Sequence, residues 1–411
     1  MKAMNNNIVM LIGAGGMIPW GAPTTNKLTE IIRTDRSFKT YTGQPAGDWF
    51  YNKLAGLYHK DTQSINFETI LNSIEYLTTF TSSKYRDSIS MYKNIMPAFL
   101  EEKESLMELL LFDRIYEKRN DYWYIERNKY KSVGIWNDYD YFFDNLYKHY
   151  INCIVNNVEK YALKSCNDIL DKQWNSFIGF INSITRIYTT NYDALIPKIS
   201  DKHFFEGFSM IDNQLKFDNK KVLKESNVDC YYNLHGSIHF DFDFPYSVTY
   251  NPDKAVYNFG NGSSGIDDVD QDKRKLIKSN LVSGYNKSSR ILNTPYAQFY
   301  HSFYTDCINT DKIIIIGYSF GDNHVNSALR TAFGLNDNLK INIIDCMVYD
   351  EDVSIKTEYD WITIEGKGDA FINEDFGVHK IITKKEQRER IKIYRKGVEQ
   401  FLKHEEWFNM L

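Results

Sequence analysis

The stretch IVMLIGAGG, residues 8–16, decides the interpretation of this chain. Its five apolar residues predict a short buried strand. The glycines that follow predict a tight turn beside the N-terminus of a helix, where backbone N–H groups favour a diphosphate. The stretch therefore predicts a nucleotide-binding turn. It is not the usual dinucleotide pattern G-x-G-x-x-G, because Ile18 stands where the third glycine is needed.

Three later motifs each follow an apolar, strand-like stretch. They read TNYD at 190–193, LHG at 234–236 and GYSF at 317–320, and a further GAP at 21–23 follows the glycine turn after five residues. Strand-like and helical stretches alternate from about residue 180, which predicts a parallel sheet covered on both faces. Ligands of such sheets collect at the carboxyl ends of the strands, where all the motifs lie.

These motifs, in this order, resemble the sirtuin superfamily, in which G-A-G, G-I-P, N-x-D, H-G and G-T-S follow one another. The resemblance covers roughly residues 7–30 and 180–350. It implies an α/β fold with a Rossmann-like parallel sheet of the sirtuin type, and NAD as substrate with no metal.

The resemblance also implies roles for individual residues. Asn191 would orient a water or a ribose hydroxyl, and His235 would act as general base, with a pKa naturally close to working pH. Asp193 would hold the nicotinamide carboxamide. Apart from the resemblance, the position of Asp345 at the end of a strand would let it accept both hydroxyls of the adenine ribose, as acidic residues do in other dinucleotide sites. The other implied NAD-binding residues are Gly13, Ala14, Gly15, Thr24, Gly317 and Ser319.

Plainer roles stay open for the same residues. Asn191 could cap a helix that begins near residue 194, and Ser319 could cap one that begins near 322. His235 could be a turn histidine, Asp345 a turn residue at a strand end, and residues 13–16 a tight turn without a ligand.

Helical periodicity replaces the strand pattern between residues 40 and 180. One predicted helix face combines Phe67, Ile70, Leu71, Ile74 and Leu77. We therefore expect a large α-helical insertion at 46–180 within a sirtuin-like core of 1–45 and 181–411. Residues 384–408 predict an amphipathic helix, with Ile391, Tyr394, Val398 and Phe401 on one stripe.

Composition narrows the function class. The 411 residues carry a net charge of −5, too mild and too evenly spread to predict direct binding of nucleic acid. No apolar run approaches a membrane span and no signal peptide is recognisable, so we expect a cytoplasmic protein. The five cysteines form no C-x-x-C pair, and the zinc module of deacylase sirtuins is therefore not expected.

The departures from sirtuins favour one activity. Met17 replaces a small hydroxyl residue, and Thr24-Thr25-Asn26 replaces the Asp-Phe-Arg of deacylases. We therefore expect an NAD+ hydrolase (NAD glycohydrolase) that releases nicotinamide and ADP-ribose, similar to bacterial sirtuin-like effectors of antiphage defence. That similarity implies a homo-oligomer restrained until a separate sensor triggers it, either a HerA-type ATPase or a short Argonaute.

Two other activities remain as alternatives. GYSFG at 317–321 satisfies G-x-S-x-G, and Ser319, Asp345 and His379 follow the order of an α/β-hydrolase serine esterase. The second alternative is a sirtuin-like protein deacylase.

Overall fold

The computed structural model describes residues 8–40, 43–58, 65–81, 136–168, 172–224, 228–243, 247–257, 268–269, 275–276, 279–283, 287–344, 390–394 and 397–403. As far as these ranges extend, the chain forms two compact units. The first takes in 1–24, 158–255 and 291–411, and the second takes in 25–157 and 256–290. The predicted domain division at 45 and 181 stays a prediction.

The strands of the described residues are numbered in chain order. They are β1 (Ile8–Ile12), β2 (Arg186–Thr189), β3 (Phe208–Ile211), β4 (Gln214–Phe217), β5 (Cys230–Asn233), β6 (Phe240–Asp243), β7 (Ser247–Tyr250), β8 (Asp268–Val269), β9 (Lys275–Leu276), β10 (Lys312–Ile316), β11 (Lys340–Ile344) and β12 (Ile391–Tyr394).

The helices are numbered in the same way. They are α1 (Thr25–Thr34), α2 (Ala46–Tyr58), α3 (Phe67–Thr81), α4 (Trp136–Asp168), α5 (Lys172–Asn182), α6 (Leu195–Ile199), α7 (Asn219–Lys224), α8 (Lys287–Arg290), α9 (Tyr296–Asn309), α10 (Asn323–Leu335) and α11 (Gly397–Lys403), with a 3-10 helix at Ala14–Trp20.

The first unit contains a six-stranded sheet in the order β12-β11-β10-β1-β2-β5, with every pair parallel. Strands β1 and β2 are buried along their whole length, as expected of a sheet covered on both faces. In chain order the six strands follow the Rossmann arrangement 3-2-1-4-5-6, whose order reverses between β1 and β10. The predicted α/β fold with a parallel sheet is therefore confirmed.

The end of the chain differs from the sequence prediction. Ile391–Tyr394 is a strand parallel to β11, and only Gly397–Lys403 of this segment is helical within the described residues. The predicted helix over 384–408 is therefore wrong at 391–394, and its residues 384–389, 395–396 and 404–408 lie outside the described residues. The sequence WITIE at 361–365 also predicts a strand by its apolar residues, and it lies outside the described residues.

A smaller antiparallel sheet, in the order β3-β4-β7-β6, also belongs to the first unit. Its aromatic residues pack closely, and the rings of Phe208 and Tyr250 stack at 5.1 Å. This sheet lies in the chain on either side of β5 and thus flanks the LHG motif in sequence.

The second unit contains the predicted helical periodicity. The five residues assigned to one face of α3 are all buried, which confirms that face: Phe67, Ile70, Leu71, Ile74 and Leu77. Residues 82–135 of the predicted insertion lie outside the described residues. No helix in the described part of the chain combines the length and the apolar character of a membrane span.

Candidate functional site

Two glycine turns meet at the point where the strand order reverses. The amide of Gly13 donates to the carbonyl of Ile316 at 2.8 Å, and the amide of Gly15 donates to the carbonyl of Gly317 at 2.8 Å. A Cβ atom on Gly317 would lie 1.8 Å from the backbone nitrogen of Gly16, and the φ of Gly317 is +58°. Only glycine fits here, because the two backbones are in direct contact.

The glycine turn differs from the expected one in two respects. It leads into the 3-10 helix Ala14–Trp20 rather than an α-helix. The amides of Gly13, Gly15 and Gly16 all donate to protein carbonyls, so these three groups are not free for a diphosphate. The turn instead brings backbone without side chains to the carboxyl edge of the sheet, where a ligand can approach closely.

The end of β2 positions Asn191. The hydroxyl of Thr189 donates to the carbonyl of Ile12 and accepts from the amide of Asn191, at 2.9 and 3.0 Å. Asn191 is 8% exposed, and its buried Oδ1 atom has no hydrogen-bond partner within the described residues. Since a buried amide oxygen without a partner costs free energy, it indicates a position where a ligand or water completes the site.

Asp193, rather than Asn191, makes a side-chain hydrogen bond to the start of α6, although the N-cap position itself is Ala194. Oδ1 of Asp193 accepts from the amide of Leu195 at 3.0 Å, where α6 begins. Burial raises the pKa of the Asp193 carboxyl above its usual value. A carboxyl group of this kind can donate as well as accept a hydrogen bond once it is protonated, which suits it to a neutral amide ligand.

Asn233 fixes the loop that holds both residues. It is the last residue of β5, and its Nδ2 donates to the carbonyls of Asn191 and Asp193, both at 3.0 Å. Asn233 is not among the site residues predicted from the sequence. The available signal was a polar side chain at the end of an otherwise apolar strand, directly before the LHG motif.

His235 is paired with a carboxylate from a different loop. Its Nε2 lies 2.9 Å from Oδ2 of Asp322, and the two side chains are 7% and 4% exposed. The other oxygen of Asp322 accepts from the amides of His324 and Val325 and so caps α10. Asp322 was not predicted as a site residue, although an N-cap pattern marks it in the sequence.

The register of the sheet brings Asn191 and His235 to the same edge. Thr189 of β2 pairs with Asn233 of β5, and each candidate catalytic residue lies two positions beyond its paired residue. The amide of Leu234 also donates to the carbonyl of Thr189 at 2.8 Å. The two loops therefore leave neighbouring strands side by side.

The GYSF motif follows β10 and supports Asp322. The Tyr318 hydroxyl donates to the carbonyl of Asp322 or to Oδ1 of Asn326, both at 3.1 Å, and accepts from the amide of Asp322 at 3.2 Å. Ser319 is exposed and does not cap α10, since Asp322 does. Its proposed capping role is therefore wrong.

The serine-esterase alternative finds little support here. A nucleophile elbow strains the serine itself, whereas in this turn the positive φ of 56° belongs to Phe320. Asp345 and His379, the other members of the suggested triad, lie outside the described residues. The role predicted for Asp345 at an adenine ribose therefore stays a prediction.

Two further predicted binding residues lie beside the glycine turn. Ala14 is exposed at the start of the 3-10 helix, and Thr24 is half-buried directly before α1. Their contact with NAD stays a prediction.

Comparison with known protein families agrees with this geometry. Residues 185–344, from β2 to the end of β11, match the SIR2-like domain family. This match shows that residues 185–344 are similar to SIR2-like domains, which are NAD-dependent enzymes, and it is consistent with NAD-related activity. No curated protein matches the chain significantly.

Proposed function

We propose that this protein is an NAD+ glycohydrolase, which cleaves NAD+ with water into nicotinamide and ADP-ribose. One observation carries the proposal: the unsatisfied Oδ1 of buried Asn191 lies at the same sheet edge as the His235–Asp322 pair. A protein that only binds a nucleotide needs neither an amide oxygen held without a partner nor a histidine paired with a carboxylate.

The site suits NAD in other respects. The glycine junction at Gly13, Gly15 and Gly317 lies where the strand order reverses, which is where dinucleotides bind in sheets of this kind. Asn191 presents a neutral amide, which can orient a ribose hydroxyl or a water without repelling an anionic dinucleotide. Asp193 lies in the same loop, and its buried carboxyl group can accept a hydrogen bond from the NH2 group of a carboxamide.

The reaction breaks the bond between C1′ of the ribose and the pyridinium nitrogen, and nicotinamide leaves as a neutral molecule with the bonding electron pair. Asn191 holds the attacking water by its Oδ1 atom. His235 takes the proton that the water loses as its oxygen bonds to C1′. Asp322 keeps the imidazole oriented and offsets its charge after proton transfer.

We propose the wider role on the same basis. An unregulated NAD+ hydrolase would exhaust the NAD of its own cell, so an antiphage effector of this kind requires restraint until infection. The resemblance to bacterial sirtuin-like effectors supports a homo-oligomer with a separate sensor, a HerA-type ATPase or a short Argonaute, as the trigger.

The test measures nicotinamide release by purified protein incubated with NAD+, alone and with the candidate sensor. Asn191→Ala and His235→Gln are expected to lower release at least about 100-fold, the smallest usual contribution of a positioned acid or base. Exposed Asn338→Ala and His203→Gln serve as matched controls and should retain full release. Thermal unfolding of each variant verifies that the fold persists.

The results separate the alternatives. Undiminished release by both site variants would overturn the site assignment. Release that persists in them but disappears in Ser319→Ala would favour a serine nucleophile instead.

A further inference from the structure

A second cluster of chemically active side chains lies in the second unit. Asp35 directly follows α1, whereas His149 and Cys153 lie four residues apart on α4. Residues four apart on a helix share one face, one turn above the other. The cluster therefore joins two helices that are more than a hundred residues apart in the chain.

The three potential ligand atoms converge on one point. Nε2 of His149 is 2.9 Å from Oδ1 of Asp35 and 3.5 Å from Sγ of Cys153, and all three atoms lie within 4.8 Å of one another. Zinc binds oxygen and nitrogen at about 2.0–2.2 Å and sulfur at about 2.3 Å, so its tetrahedral ligands lie about 3.3–3.6 Å apart. Small shifts of the side chains would satisfy this geometry.

A single nitrogen atom faces both other groups. Nε2 of His149 carries either one hydrogen or one lone pair, and neither can point at Asp35 and Cys153 together. A cation between the three atoms would bind the nitrogen lone pair, the thiolate and the carboxylate at the same time. The observed distances between these three atoms are close to those of such an arrangement.

The surroundings hold the ligands in place. The amide and hydroxyl of Ser37 donate to the two oxygens of Asp35, at 2.9 and 3.3 Å, as outer hydrogen bonds do around ligating carboxylates. The ring of Phe38 lies 5.1 Å from the ring of His149. All three ligands are partly exposed, which leaves a path for an ion and a fourth position for water.

We propose that Asp35, His149 and Cys153 form a binding site for a divalent ion of the zinc type, independent of the NAD site. Thiolate, imidazole and carboxylate together favour Zn2+ over Mg2+ or Ca2+, which prefer oxygen ligands only. No metal site is expected from the sequence because its five cysteines form no C-x-x-C pair. Asp35 and His149 are 114 positions apart, so no local sequence pattern brings them together.

The test uses full-length protein without an affinity tag, stripped with a chelator and then equilibrated with Zn2+ alone. Elemental analysis is expected to find one zinc per chain in the wild type and less than a tenth of that in Cys153→Ser and His149→Gln. Cys307→Ala and His203→Gln, which remove a buried thiol and an exposed imidazole elsewhere, are matched controls that should keep the zinc. Circular dichroism verifies that the variants are folded.

A measurement on the wild type keeps the test decisive if a variant fails to fold. Zn2+ should slow alkylation of Cys153 by iodoacetamide at least tenfold, as measured on its peptide by mass spectrometry. Addition of Co2+ should produce a thiolate-to-cobalt absorption band. The absence of bound zinc in the wild type, zinc retained in both ligand variants, or unchanged alkylation of Cys153 would each overturn the proposal.

Discussion

Nε2 of His235 and Oδ2 of Asp322 lie 2.9 Å apart, although 87 positions separate the two residues in the chain. One follows β5 and the other follows β10, and between those strands the sheet carries β1 and β2. The contact therefore links the LHG loop to the loop that begins α10. Asp322 has two contacts, since one oxygen caps the helix and the other lies 2.9 Å from the histidine nitrogen.

Asp322→Asn is expected to separate the effects of these two contacts. Asparagine caps helices about as well as aspartate, so α10 and the free energy of unfolding should change little. Nicotinamide release should fall at least about tenfold, because the imidazole loses the charge that orients it. Asp218→Asn is the matched control, since Asp218 accepts from the amide of Lys221 at the start of α7. An unchanged turnover rate in Asp322→Asn would remove Asp322 from the mechanism.

Asn233→Ala should disturb the Asn191 loop. It removes two buried hydrogen bonds, and we expect the free energy of unfolding to fall by about 1–3 kcal/mol. Turnover should fall as well, because the carbonyls of Asn191 and Asp193 lose the donor that fixes them. Asn336→Ala removes a comparable bond to the carbonyl of Thr310 and provides the control for stability alone. Full turnover in a destabilised Asn233→Ala protein would limit Asn233 to a structural role.

The parallel sheet was predictable from local sequence. The sequence contains an apolar run at 8–12 and four successive isoleucines at 313–316. Such runs are typical of strands that are buried on both faces, and both runs are buried in the structure. Strand β12 was missed because Ile391 and Tyr394, three residues apart, fit a helical stripe as well as a short strand. Its pairing with Ile341 and Ile344 of β11 is a long-range interaction that the local pattern does not contain.

The candidate site was also predictable only in part, because the local sequence identifies some of its residues and long-range contacts determine the others. The motifs identified Asn191 and His235, because each lies two positions beyond the end of an apolar strand. Their partners Asn233 and Asp322 depend on which strands are neighbours, and strand order is a property of the whole sheet. The occupied amides of the glycine turn could not be predicted either, since the carbonyls that accept from Gly13 and Gly15 come from residues 316 and 317.

Gly317→Ala should destabilise the protein severely. Its Cβ would lie 1.8 Å from the nitrogen of Gly16, and alanine would also have to adopt a φ of +58°. We expect loss of cooperative unfolding or a fall of several degrees in Tm. Gly334→Ala is the matched control, because nothing lies within 4 Å of its added Cβ in α10. That variant should gain up to about 1 kcal/mol from helix propensity. Equal stability of the two variants would contradict the close contact of the turns.

Glu206 should make stability depend on pH. Burial raises the pKa of its carboxyl from 4.5 to about 7, while the Tyr250 hydroxyl donates to it at 2.6 Å. The folded state then binds more protons than the unfolded state between these values, so this residue's contribution to stability falls as pH rises from 4.5 to 7.

The comparison with Glu206→Gln isolates this contribution. Burial also lowers the pKa of His239 to about 4, which gives the opposite slope over part of the same range. The free energy of unfolding is measured for variant and wild type by urea titration. Because His239 is present in both proteins, its contribution cancels in the difference between them. As pH rises from 4.5 to 7, the free energy of unfolding of Glu206→Gln should increase relative to that of the wild type by about 1–3 kcal/mol. The exposed Glu30→Gln should show no such trend, and a difference that stays constant with pH for Glu206→Gln would show that Glu206 ionises normally.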